Sequence, residues 1–112
     1  MDYPADATFY VRLSLVQPKE GADDQISAMQ DDLLQFFATQ PGYVRGYKLI
    51  REFPDPRIGR ISVWQSEGDA ENAAGAQHVL SVRSELIQLI EAEPQIERSY
   101  TAFDPQLAAA AP

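Results

Sequence analysis

Polar and apolar residues alternate through residues 8–16: Phe9, Val11, Leu13 and Leu15 fall on one side, Tyr10, Arg12, Ser14 and Val16 on the other. A period of two over nine residues predicts a half-buried strand, ended by Pro18 and Gly21. The period then changes. Ile26, Met29, Leu33, Phe36 and Phe37 recur at three- and four-residue spacing, with Gln30, Asp31, Asp32 and Gln35 between them. That is an amphipathic helix to about Thr39, with Asp23 or Asp24 as its cap and Pro41-Gly42 as its stop. Residues 43–52 and 58–64 read as two strands around Phe53-Pro54-Asp55-Pro56, a turn too rich in proline for a strand interior. Ser66 caps a second helical region. Its first part, residues 70–77, is rich in alanine and suits close packing on a sheet, and a break falls near His78. Val79, Val82, Leu86, Leu89 and Ile90 continue the stripe to about Glu91. Pro94 ends the region, and residues 96–103 form a fourth strand.

The order βαββαβ is the split, ferredoxin-like arrangement of an α+β protein. Right-handed crossovers put the first and third strands at the centre, with both helices over one face. The more aliphatic rows, Phe9 to Leu15 and Ile61 with Val63, are expected beneath the helices. The opposite face then carries Tyr10, Arg12, Arg60, Trp64, Arg98 and Tyr100. This face is too aromatic for water and too charged for a dry core. Aromatic and arginine side chains together suit a subunit interface, and a symmetric pair also shelters the sheet edges. Tyr10, Arg12, Arg60, Arg98 and Tyr100 are therefore expected at a homodimer interface. The ordered domain is residues 8–103, between flexible ends at 1–7 and 104–112.

Composition narrows the chemistry. The chain of 112 residues fits one domain. It has no cysteine, which removes disulfides, thiolate nucleophiles and cysteine-ligated metals. Seventeen acidic against nine basic residues give a net charge of −8, unfavourable for nucleic acid and anionic membranes alike. The first six residues lack the pattern of a signal peptide, and no run approaches the roughly 20 apolar residues that span a bilayer. A cytoplasmic location is the expectation. Glycine-rich phosphate loops, nucleophile elbows and His-Glu-x-x-His arrangements are absent from the sequence. Asp23-Asp24 and Asp31-Asp32 suit a solvated helix surface, and no metal site is expected.

Three stretches carry a family resemblance: Gln40-Pro41-Gly42-Tyr43-Val44 followed by Gly46-Tyr47, then Val63-Trp64-Gln65-Ser66-Glu67, then residues 77–86 from Gln77-His78 to Leu86. Over residues 8–103 the chain resembles the antibiotic-biosynthesis-monooxygenase-like family of dimeric α+β barrels. The resemblance implies a small apolar pocket between helices and sheet in each subunit. It further implies a monooxygenase that needs no cofactor, because a deprotonated phenolic or quinol-like metabolite supplies its own electrons. Phe9, Val11, Phe37, Tyr47 and Trp64 are the wall candidates and His78 the proton-handling group. Superfamily members differ widely in chemistry, so a shared fold does not carry function. A module that binds a small aromatic molecule without turning it over is the alternative. The haem-degrading branch is disfavoured: its first-strand asparagine has no counterpart in residues 9–15, and the interval from Trp64 to His78 is longer than its pattern.

Each candidate has a plainer reading. An imidazole near neutral pKa can accept a phenolic proton, yet a lone histidine at a helix break more often satisfies a local hydrogen bond. Trp64 equally serves as packing at the end of its strand. Tyr43 and Tyr47 either frame a ring-shaped ligand or pack.

Overall fold

The computed structural model describes residues 3–92 and 95–110. Pro94, the expected stop of the second helical region, lies outside the described residues. The elements are strand β1 (Thr8–Val16), helix α1 (Asp23–Phe37), strands β2 (Tyr43–Arg51) and β3 (Arg57–Trp64), helices α2 (Glu67–Ala74) and α3 (Gln77–Leu86), strand β4 (Ile96–Phe103) and helix α4 (Pro105–Ala110). The sheet is antiparallel throughout in the order β2-β3-β1-β4, which places the first and third strands at the centre as expected.

Local chemistry explains most boundaries. Ser66 caps α2, its hydroxyl accepting from the Asp69 amide at 3.1 Å. Asp23 and Asp24 are not the cap of α1. Ala22 holds that position, and the two carboxylates occupy the first turn, where they still meet the positive end of the helix dipole. Gly42 turns the chain into β2 at φ 82°, a conformation that side chains with a Cβ disfavour. Helix α3 stops at Leu86, short of the expected Glu91. Beyond it the chain pairs with the segment after β1: Ile90 bridges Pro18, and Glu91 donates its amide to the Gln17 carbonyl at 2.9 Å. The alanine-rich stretch after β4, which shows no helical stripe, is helical because Asp104 accepts from the amides of Gln106 and Leu107.

One expectation is reversed. Residues opposite one another in a ladder share a face, and the register pairs Tyr10 with Trp64, Arg12 with Ser62 and Ser14 with Arg60. Trp64 packs with Leu33, Phe37, Ala70, Ala73 and Val79 of the helices. The row Tyr10, Arg12, Ser14, Val16 therefore lies beneath the helices, together with Ile58, Arg60, Ser62 and Trp64. The aliphatic row Phe9, Val11, Leu13, Leu15 faces away from them, with Ile61 and Val63, Tyr47 and Leu49, and Arg98, Tyr100 and Ala102. Placing the greasiest row under the helices fails physically because the helix side is not a uniform core. Its polar stretch lines a cavity.

Apolar packing on that side forms two clusters. One joins Val16, Ile26, Met29, Ile58, Leu86 and Ile90, and the other surrounds Trp64.

Candidate functional site

Between the helices and the sheet lies a cavity of about 410 Å³, within the size range of small-molecule sites. The central strands build its floor: Arg12 and Ser14 from β1, Arg60, Ser62 and Trp64 from β3. Strand β4 adds Glu97 and Ser99. Phe37 of α1, Ala70 and Ala74 of α2, and Val79 and Arg83 of α3 complete the wall. The small alanine side chains of α2 make room where a bulkier helix would close on the indole.

Trp64 is 1% exposed and fixed on three sides. Its Nε1 donates to the Ser62 hydroxyl at 3.0 Å. Phe37 meets it edge-on at 5.4 Å between ring centroids, and Tyr43 does so at 5.5 Å. Gly46 is what allows Tyr43 and Leu34 to lie so close over β2. A Cβ there would stand 2.8 Å from the Tyr43 hydroxyl and 2.7 Å from Leu34 Cδ2, closer than atoms pack without a shift.

The polar wall is cationic. Arg60 donates through Nη1 to Oε1 of Gln30 at 2.9 Å, and its guanidinium lies 5.7 Å from the centre of the Phe37 ring. Burial, reinforced by the like charge of Arg83, pulls its pKa down to about 10. Arg12 lies 5.4 Å from the Tyr10 ring centre. Arg83 approaches Glu97 at 3.7 Å, a loose and half-exposed pair. Among the described residues no carboxylate stands within ion-pair distance of Arg12 or Arg60.

The candidates named from the sequence separate into three places. Trp64 and Phe37 line the cavity. Phe9, Val11 and Tyr47 stand on the opposite face of the sheet, where Tyr47 is 55% exposed. His78 is on the outer surface of the helix layer: its Nε2 lies 3.0 Å from Asp32 Oδ2, and its ring stacks on Phe36 at 4.7 Å. Of the residues expected at an interface, Arg12 and Arg60 line the cavity and Tyr10 packs beside Trp64. Tyr100 faces away from the helices, and Arg98 borders the cavity although its register partner is Leu13. Sequence reading did not single out Ser62, Arg83 or Glu97 for the cavity. The parity that joins Ser62 to Trp64 was the available signal. Among the described residues no group of three metal-binding side chains occurs, and no helix is long and apolar enough to cross a membrane.

No protein-family profile matches the chain, and no curated protein matches it in sequence. Solved structures do match. A candidate antibiotic biosynthesis monooxygenase from Nitrosomonas europaea superposes with a TM-score of 0.75 at 18% identity, covering 84% of this chain and 89% of that one. SnoaB, a cofactor-independent oxygenase from Streptomyces nogalater, gives 0.69 at 22% identity over 86% and 93%. A protein from Shewanella oneidensis gives 0.76 at 14% identity over 90% and 97%. The sequence motifs and these superpositions agree, and the chain has the α+β fold of the antibiotic-biosynthesis-monooxygenase-like proteins.

Proposed function

We propose that the chain is a cytoplasmic, homodimeric oxygenase that oxidises a small phenolic or quinol-like aromatic metabolite with molecular oxygen and no cofactor. The observation that carries this reading is the cavity lined by Trp64 and Phe37 together with arginine side chains. The apolar end of the cavity takes a ring, and the cations beside it favour its ionised form. Structural likeness to a cofactor-independent oxygenase supports the choice of chemistry.

For an anthrone-like methylene the steps balance. Glu97, the carboxylate in the cavity wall, removes one C–H proton, and the arginines stabilise the enolate. The enolate passes one electron to dioxygen, and the resulting radicals combine at carbon. The O–O bond of the peroxide then breaks. One oxygen stays as the new carbonyl, while the other leaves as water with the two protons of the former methylene. His78, paired with Asp32 outside the cavity, takes no part.

The homodimer rests on the face away from the helices. Leu13 with Ile61, Tyr47 with Ile61, and Val63 on the same row make an apolar surface, on which Tyr47 is 55% and Tyr100 51% exposed. Soluble chains rarely leave such a patch uncovered.

Oxygen uptake with anthrone and simple quinols tests the activity, using the wild-type protein beside His78→Ala and Glu97→Gln. Uptake retained in the first variant and reduced at least tenfold in the second is expected. Saturable binding without oxygen uptake would make the chain a binding module instead.

A further inference from the structure

We propose that the occupant of the cavity is an aromatic molecule bearing an anionic oxygen, a carboxylate or an ionised phenol, set against Arg60 with Arg12 and Arg83 around it. This rests on reading the cavity as the substrate site and names what that site selects.

Charge placement carries the inference. The chain holds only nine basic residues and a net charge of −8, yet four arginines, Arg12, Arg60, Arg83 and Arg98, line one cavity with a single carboxylate among the described residues, Glu97. Arg83 has the loose contact with Glu97, which acts on Arg60 only from a distance, and no carboxylate among the described residues stands within ion-pair distance of Arg12 or Arg60. Partly burying a cation without a close anion is costly, and Arg83 and Arg12 add like charge beside the part-buried Arg60. A ligand anion removes that cost.

Arg60 is also held in place. Its forward nitrogen is bonded to Gln30, a residue 0% exposed, and its flat face is near Phe37. A guanidinium fixed in this way offers its remaining N–H groups in a geometry that suits two oxygens or one. Trp64 and Phe37, 1% and 5% exposed, close the apolar end of the cavity, so a ring can lie against that end while its oxygen reaches the cations. In a chain that is negative elsewhere, such a cavity also concentrates anions locally.

The test compares isosteric ligands by calorimetry on the folded protein, with 1-naphthoate against neutral 1-naphthamide. A second arm follows the absorbance of bound 2-naphthol as it ionises. Naphthoate is expected to bind at least tenfold tighter than naphthamide, or bound 2-naphthol to ionise at least one pH unit below the free compound. The first result assigns a carboxylate ligand and the second a phenolate. Either preference is expected to shrink at least threefold in Arg60→Gln, and in Arg12→Gln or Arg83→Gln should the first variant not fold. Equal binding of acid and amide, together with unshifted 2-naphthol, overturns the inference. So does a preference untouched in every folded variant. If neither ligand class binds, the reading of the cavity as an aromatic site falls with it.

Discussion

Arg60 and the fully buried Gln30 form a part-buried pair in which only one half of the amide is used: Oε1 accepts from the guanidinium at 2.9 Å, while Nε2 has no hydrogen-bond partner among the described residues. An orphaned buried N–H costs about 1–3 kcal/mol, and the cation adds its own desolvation. The pair therefore opposes folding in the unliganded chain. Replacing both residues by methionine is expected to raise stability by about 1 kcal/mol or more while abolishing the preference for naphthoate. Urea unfolding of the double variant beside wild type checks it.

Affinity for the anion should depend on pH in one direction. Burial and the like charge of Arg83 hold the pKa of Arg60 at about 10 in the folded chain, well below the ordinary arginine range. Its charge is present at neutral pH and lost as pH rises through about 10. Naphthoate affinity is expected to be flat from pH 7 to 9 and to fall above pH 10, because the anion binds the protonated guanidinium. For stability the sign is opposite. The unfolded chain holds this proton more tightly, so burial of Arg60 lowers stability at neutral pH, and that penalty is relieved as pH rises through about 10. Calorimetric titrations at four pH values measure the first effect.

Trp64 depends on the hydroxyl two residues before it. Ser62→Ala leaves the buried indole N–H without the acceptor at 3.0 Å and is expected to cost about 1–3 kcal/mol. The same change made on Trp64→Phe should cost far less, since no N–H remains to be orphaned. A double-mutant cycle read by denaturant unfolding separates the hydrogen bond from the packing.

The proposed dimer face has its centre at Ile61, flanked by Leu13 and Tyr47. Ile61→Lys puts a charge in the middle of that surface. Light scattering is expected to give twice the chain mass for wild type and the chain mass for the variant. A wild-type protein that stays single at high concentration contradicts the interface.

Much of the fold is legible in the alternation of apolar residues. Period two gave the first, third and fourth strands, the aromatic and aliphatic run before the Pro54–Pro56 turn gave the second, the stripe from Ile26 to Phe37 gave α1, and the right-handed crossover rule gave the strand order. The face of the sheet was not legible, because hydrophobicity ranks rows and cannot see a cavity. Arg12, Ser14, Arg60 and Ser62 read as outward residues while they line an internal space. Trp64 kept their parity all along, and together with the thin alanines at 70, 73 and 74 it marks the helix side. The position of His78 could not be read either. Its partner Asp32 is 46 residues away, and only the packing of α1 against α3 brings the two together.

Trp64 is the only tryptophan in the chain and lies in the cavity wall, so its emission reports directly on the proposed site. Titration with 1-naphthoate is expected to quench that emission saturably in wild type, by energy transfer to the bound ring. In Ala74→Phe, which fills the cavity, the saturable quenching should disappear. No saturable quenching in wild type, or the same curve in both proteins, would place the ligand elsewhere and contradict the site.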